Sequence, residues 1–580
     1  MDTVNLANTW EQLHAAYAYG VDRLWMFNAG DMKNSEAALQ FALDYAWDPD
    51  ALSSGNLAAW ELGYAAQNFG AKYAAAIADV LTTYGRLQGR RKPELLNRKI
   101  SLDPARDLST DEAAVVYDDQ AGPYSLNNYR ELDRVTAEWA RLRAKADRIG
   151  DRLPAYKRDA YYELVRYQVD ATANLYALRN AEFNNLFYAS QGRAATNRLA
   201  DVAEARFADD QAMGAYYNNE LAGGKWRGWQ LQPHIGYGDV ARYGPNAPWQ
   251  QPELSNKALT DVVFPAVRRI GLPALADMGV AIDGSDQWWP HAAGPAVLPS
   301  FSPYQTAPAQ YIDIFNRGSV PFDFKIEAGR PWVIVGPGRG RVTDQVRVTV
   351  SIDWSRAPKG NTRAPITVGG PGGKTVTVEA ILENPGIGRS MPTGLVEAGG
   401  YISVPADAYS RAVSSAGIRW RKIVGIGRTG DGIEPFPQTA QPVTAGGGSP
   451  RLEYDLTLFT TGLVTVCVYL SPRNDVLANG GLRYAVSIDN DAPQIVNIAT
   501  ATGAADAVMN RQWQRNTSNN VNLTSTTHKI STAGHHVLRF WMVDPTVVLQ
   551  NIVVDTGGLR ESYLGPPASM PRPAGLAKSV

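Results

Sequence analysis

The sequence predicts a multidomain α+β protein, and three observations carry that prediction. A short apolar segment lies between two helical patterns near the N-terminus; an Ala-, Leu-, Arg- and Tyr-rich region with helical periodicity extends to about residue 222; two-residue alternation takes over after about residue 275. Length agrees, since 580 residues exceed what one hydrophobic core usually serves and about two to four domains are expected.

The first element is a helix, because Leu6, Trp10, Leu13 and Tyr17 recur at helical spacing. Leu24, Trp25, Met26 and Phe27 then form a run short enough for a buried parallel strand. Asn28, Ala29, Gly30 and Asp31 end it with turn chemistry before an apolar helix begins. Asp31, Asn34 and Ser35 are N-cap candidates for that helix, and Glu36 suits its first turn. A single strand of this kind cannot cover its own edges. The first 48 residues are therefore expected to be the least stable part of the chain, with either cleavage near residues 48 to 56 or aggregation.

The next region reads as an antiparallel helical bundle. Tyr73, Ile77, Val80 and Tyr84 form one stripe; Tyr129, Leu132, Val135, Trp139, Leu142 and Ile149 form another; Leu199, Val202 and Phe207 belong to a later one. Pro154 opens the helix containing Leu164, Val165 and Val169, while Gly150 and Gly192 mark breaks. From about 222 to 258 Gly, Pro and aromatic residues dominate, including Trp226, Trp229 and Trp249, which predicts an ordered crossing loop. Leu259, Val262, Val263 and Val267 suggest one more helix before residue 274.

The remainder is β. Val346, Val348, Val350 and Ile352 alternate with Arg347, Thr349 and Ser351, and the stretch 375–379 repeats that period. Gly-rich punctuation from 384 to 400 separates a second β region with strands expected at 454–459, 463–470, 483–489, 536–544 and 547–555. Two antiparallel β-sandwich modules are predicted, the second jelly-roll-like. The expected divisions are 1–48, 49–222, 223–274, 275–390, 391–567 and a disordered tail over 568–580.

Composition narrows function mainly by exclusion. A formal net charge of −1 with 19% charged residues gives no reason to expect a nucleic-acid partner. The single cysteine, Cys467, excludes an intrachain disulfide and reads as a buried small hydrophobe. No apolar stretch of about 18 residues predicts a membrane span, and residues 1–12 carry no export signal. His528, His535 and His536 have no recognised metal spacing. In GGPGGKT (369–375) Val368 stands where a phosphate loop needs its first Gly, and a strand follows. GPGRG (336–340) is expected to be a hairpin turn.

Three segments carry a resemblance. WMFNAGDMK (25–33) with ALQFALDYAWDP (38–49), GGKWRGWQLQPHIGY (223–237) with WQQP (249–252), and VVDTGGLRESYLGPP (553–567) resemble, in this order, the glycoside hydrolase family 115 enzymes, xylan α-1,2-glucuronidases. The resemblance implies that residues 1–48 are the last strand and helix of a (β/α)8 catalytic barrel. It implies inverting release of glucuronic acid or its 4-O-methyl ether from xylan, with no organic or metal cofactor. It also implies a homodimer formed through the helical region, and an intact enzyme that is periplasmic or secreted.

Inverting hydrolysis uses two carboxyl groups about 6.5–9.5 Å apart at the C-terminal ends of barrel strands. The family's acidic motif lies on earlier strands, so the resemblance places the catalytic residues upstream of Met1. This chain alone is then expected to be inactive. Its own candidates are substrate-binding: Asn28, Asp31 and Lys33 after the strand, Lys33 as a point charge for a uronate, and Trp226, His234, Tyr237 and Trp249 in the aromatic loop. The chain inserts GDVARYGPNAP between Tyr237 and Trp249, where the family has a short gap. The alternative from another class is a non-catalytic carbohydrate-binding or scaffold protein.

Overall fold

A computed structural model of the chain describes residues 3–29, 32–96, 99–102, 105, 115–118, 122–231, 265, 267–385, 392–415, 417–502, 512–513 and 515–570. The helical region comprises α1 (Leu6–Ala18), α2 (Glu36–Trp47), α3 (Leu57–Phe69), α4 (Ala71–Gln88), a small hairpin of β1 (Lys99–Leu102) and β2 (Val115–Asp118), α5 (Glu131–Arg152), α6 (Ala155–Tyr161), α7 (Tyr167–Ser190) and α8 (Ala195–Asn219). The amphipathic pattern explains α5, whose Leu132, Val135, Trp139, Leu142, Ala146 and Ile149 are buried at alternating steps of three and four. They share one core with Ile77, Val80 and Tyr84 of α4 and with Val169, Tyr176 and Leu178 of α7.

Two details of the bundle differ from the sequence reading. Gly150 lies inside α5, where the Tyr161 ring packs so closely that an added Cβ would sit 3.3 Å from its Cε1. The glycine serves a close approach and not a break. Tyr129 falls outside α5 at φ 56°, and its hydroxyl accepts the Arg560 N–H at 3.0 Å. After Pro154 the helix runs through α6 and a π-helical turn, Tyr162–Arg166, into α7 without interruption.

The expected strand at Leu24–Phe27 is not formed. Residues 24–29 carry no regular structure, with Leu24 79% and Met26 90% exposed. No other strand among the described residues pairs with them, and an unpaired strand has no ladder to hold it. Its flanks behave otherwise. Ala7 and Trp10 of α1 and Phe41 and Tyr45 of α2 bury against Ile423, Ile426 and Val548 of the C-terminal β region. The expectation that residues 1–48 as a whole are loosely held is corrected at α1, because its partners lie more than 400 residues away in sequence and are present.

The first β region contains β3 (Met278–Ile282), β4 (Trp288–Trp289), β5 (Ala296–Val297), β6 (Gln310–Asn316), β7 (Phe322–Ala328), β8 (Val333–Gly336), β9 (Arg339–Val342), β10 (Gln345–Ile352), β11 (Gly360–Gly369) and β12 (Thr375–Asn384). They form two five-stranded sheets, β4-β3-β6-β10-β8 and β5-β12-β11-β7-β9, which contribute to one apolar cluster. Val348, Val350, Ile366 and Val378 are fully buried within it. The GPGRG segment is not a hairpin turn: β8 pairs with β10 and β9 with β7, so it carries the chain from one sheet to the other. GGPGGKT joins β11 and β12, paired from Gly360↔Asn384 to Gly369↔Thr375.

The second β region holds β13 (Leu395–Val396), β14 (Tyr401–Pro405), β15 (Arg411–Val413), β16 (Arg419–Ile423), β17 (Gly432–Phe436), β18 (Arg451–Leu458), β19 (Gly462–Leu470), β20 (Arg483–Ile488), β21 (Gln494–Asn497), β22 (Asn522–Ile530), β23 (Gly534–Met542) and β24 (Leu549–Asp555). Two six-stranded sheets result, built on β13-β18-β23-β20-β21 and β16-β17-β24-β19-β22. Alternation explains β19, whose Val464, Val466 and Val468 face the core shared by both sheets. Cys467 between them is half-buried, and burial raises its thiol to about 11. The segment after β24 returns to the bundle. The buried Glu131 carboxylate accepts backbone N–H groups from Ser125 at 2.8 Å, Tyr563 at 3.0 Å and Leu564 at 2.7 Å.

Candidate functional site

The residues leading into α2 converge with the π-helical turn and the start of the aromatic loop. Asn34 adopts a left-handed backbone at φ 64°, which its short amide tolerates, and this swings its side chain away from the capping position. Neither Asn34 nor Ser35 caps α2. Ser35 precedes the helix without a side-chain cap. The Asn34 amide instead donates to the Glu163 carbonyl at 2.8 Å and to the Tyr217 hydroxyl at 3.4 Å, and accepts from Gln230 Nε2 at 2.9 Å. Gln230 Oε1 accepts the Tyr167 hydroxyl at 3.2 Å.

Glu163 sits in the π-helical turn, whose wider winding re-aims a side chain, and is 5% exposed. Its carboxylate receives the Tyr217 hydroxyl at 3.4 Å and lies 3.6 Å from Lys33 Nζ. Burial, then the like charge of Glu36, push Glu163 up to about 7, with Lys33 pulling the other way. Tyr217 is likewise raised, by burial first and Glu163 second. Lys33 also pairs with Glu36 and rests 4.2 Å over the Trp226 ring, which Lys225 approaches at 4.7 Å. Trp226 and Trp229 pack against Tyr167, Tyr217 and Leu221.

This geometry decides what the cluster can do. Glu163 and Glu36 are in hydrogen-bond contact, which is far closer than the about 6.5–9.5 Å needed for a water between an inverting acid and base. The neighbouring Glu36 charge helps burial hold the Glu163 carboxyl up at about 7. The Lys33 charge is engaged by two carboxylates and an indole, and a uronate would compete with all three. The cluster joins residues 33–36 to the bundle and to the aromatic loop.

Among the sequence candidates, the structure brings together Lys33 and Trp226. Asn28 is exposed on the open segment, and Asp31, His234, Tyr237 and Trp249 lie outside the described residues, as does most of the expected helix before residue 274. The sequence reading missed Glu163, Tyr217 and Gln230. The available signal was a carboxylate beside Leu164 and Val165 in a segment read as a helix of the bundle, since such a group requires a partner when buried. Elsewhere, His535 pairs with Asp455 at 2.8 Å and His536 with Asp489 at 2.7 Å. Among the described residues no group of three or more His, Cys, Asp or Glu side chains is placed to hold a metal, and no helix is long and apolar enough to cross a membrane.

Residues 1–95 match the profile described as glycosyl hydrolase family 115, and residues 394–568 match that of the glycosyl hydrolase family 115 C-terminal domain. None of the curated proteins matches the chain in sequence. Among solved structures, the fold is similar to a family GH115 4-O-methyl-α-glucuronidase, BtGH115A, with specificity for decorated arabinogalactans. The identity is 15% over 96% of this chain and 48% of that one, with a TM-score of 0.55. This chain thus spans about half the length of that enzyme. Slighter likenesses are the C-terminal CBM6 of LamC, a laminarinase from Zobellia galactanivorans, at 10% identity over 27% of this chain and 98% of that one (TM-score 0.18), and the Podospora anserina GH26-CBM35 mannanase at 16% over 28% and 29% (TM-score 0.15).

Proposed function

The chain belongs to glycoside hydrolase family 115, and from that premise we propose that it is the C-terminal part of an α-glucuronidase. That enzyme removes glucuronic acid or its 4-O-methyl ether from polysaccharide side chains with inversion. Xylan is the substrate we favour, and decorated arabinogalactan, named for the similar solved enzyme, is the comparison polymer. The reading includes architecture: residues 20–48 complete a (β/α)8 barrel, and the two β regions are sandwich modules. It also includes a homodimer through the helical bundle and an exported intact enzyme.

One observation carries the proposal beyond family membership. Leu24, Met26, Met32, Leu43 and Trp47 are exposed on and around the open segment and α2, with Trp47 at 92%. Large apolar side chains gathered on one stretch mark a surface that is covered in the working molecule. The carboxyl pair found here has the wrong spacing for hydrolysis, so the acid and base come from the polypeptide that covers this stretch.

The test is uronic acid release from glucuronoxylan, and from decorated arabinogalactan, by this chain alone and by the chain joined to a family 115 barrel. No release by the chain alone and release by the joined protein are expected. The loss of an acid or base costs at least about 10²-fold in rate. Robust turnover by the isolated chain, or none by the joined protein on either polymer, overturns the proposal.

A further inference from the structure

Between α4, α5 and the loop over 427–430 lies an open groove of about 450 Å³. Its charged lining is five cations, Arg86, Arg90, Arg141, Lys145 and Arg428, and one carboxylate, Glu138. The chain as a whole is nearly neutral at a formal −1, so this concentration is local. Arg86 lies in the last turn of α4 and Arg90 just beyond its end, while Glu138, Arg141 and Lys145 follow at three and four on α5.

Three of the five cations are engaged. Arg90 pairs with Glu138 and donates to the Arg428 carbonyl at 3.0 Å; Lys145 pairs with Asp79; Arg428 donates to the Asn519 carbonyl at 3.2 Å and lies 4.6 Å over Tyr563. Arg86 and Arg141 have no acidic partner among the described residues. Arg86 is nonetheless held in place. Gly425 stands at φ 72° with the arginine stem laid across it, and a Cβ there would come within 2.8 Å of Arg86 Cγ. The loop beside the groove is thus shaped around a guanidinium that no acid among the described residues neutralises.

We infer that this groove binds the carboxylates of a uronic-acid-bearing polysaccharide chain, at a site separate from the Lys33–Glu163 cluster. Two unspent guanidinium forks match planar carboxylates, and Arg428, held by a carbonyl and a ring and by no carboxylate, adds to the positive potential in the cleft. The identity of the anion rests on the function proposed above; the anion preference rests on the groove. A nucleic acid fits less well, because no aromatic side chain lines the groove to stack a base.

The experiment is isothermal titration of the full chain with a xylo-oligosaccharide bearing one 4-O-methylglucuronate, with the same oligosaccharide reduced at its carboxyl, and with a short single-stranded DNA. Each is titrated at low and at physiological salt. The acidic oligosaccharide is expected to bind about tenfold more tightly than its reduced form, with the difference shrinking as salt rises. Arg86→Gln/Arg141→Gln removes most of that difference, and Arg86→Lys/Arg141→Lys keeps it, with thermal midpoints unchanged because both positions are exposed. Equal binding of the two oligosaccharides, an unaffected glutamine pair, or DNA bound at least as tightly overturns the inference. Binding is read without turnover, so a failure of hydrolysis in the joined protein and a failure of this groove are distinguishable.

Discussion

Helix α1 and the open segment that follows it are within ten residues of each other and similarly apolar, yet Trp10 is 1% exposed and Met26 90%. The difference lies in partners. α1 is clamped to the C-terminal β region by Glu11, which pairs with Arg473 at 2.6 Å and accepts from Gln438 at 3.0 Å; Gln438 also donates at 2.9 Å to Glu434, itself paired with Arg421 at 2.6 Å within that region. His14 stacks on Trp10 and meets Tyr45 and Arg421 in the same joint. Leu24 to Phe27 find nothing comparable beyond the Trp25 ring stacked on Tyr45. Apolar content sets a demand for burial; where the partner is present, buried charges then fix one docking geometry.

The largest expected effects break the clamp. Glu11→Ala leaves Arg473 buried and unpaired and is expected to cost about 3–5 kcal/mol, as is Trp10→Ala through the cavity it opens. Urea unfolding measures both. A cost below about 1 kcal/mol for either would erase the contrast with the open segment.

Next in size is the carboxyl pair. Glu163 at about 7 in the fold, against its ordinary 4.5, binds more protons folded than unfolded, so stability present below about pH 4.5 is lost as pH rises through 7. Glu163→Gln should flatten that window by on the order of 2 kcal/mol in the difference between variant and parent. Parallel pH profiles would place the cluster outside the folding balance.

The clamp has a smaller pH term of opposite sign. His14 is lowered, by burial first and Arg421 second, and its Nε2 must accept from the guanidinium, so the ring stays neutral in the joint. A depressed histidine contributes stability above pH 6.5 that is lost as pH falls through its folded value. His14→Gln should reduce the drop in thermal midpoint between pH 7.5 and pH 5, and an unchanged drop would remove His14 from the joint. Least of all, Leu24→Ser should alter stability by less than about 0.5 kcal/mol while lowering self-association seen by light scattering. A loss matching that of Trp10→Ala would show the segment to be packed.

The elements legible in the sequence were those with one wet face. The stripe of α5 and the alternation of β10 and β19 each pair buried apolar positions with solvated polar ones. α7 was harder to bound because it is buried nearly all round, with Gln168, Asp170, Asn174, Arg179, Glu182 and Asn185 inside among its apolar residues, so no stripe exists to read. GPGRG has turn chemistry, but which sheet each flank joins depends on pairing partners outside it. Of the candidate site, Lys33 and Trp226 were visible as residue types after a turn and in an aromatic loop. Glu163 was not, because its meaning comes from Lys33 and Glu36, about 130 residues earlier, and from a π-helical turn that shifts the helical phase.

The buried Glu131 carboxylate has a consequence for how the protein is made. Two of its three N–H donors, Tyr563 and Leu564, are 432 and 433 residues downstream. At about 5–20 residues per second a ribosome needs roughly 20–90 s to supply them. During that interval the start of α5 exists with its acid uncovered, so the nascent bundle either keeps this end open to water or holds Glu131 protonated. The first turn of α5 is therefore covered only after both β regions have been synthesised, although the helix itself is among the earlier parts of the chain to be made.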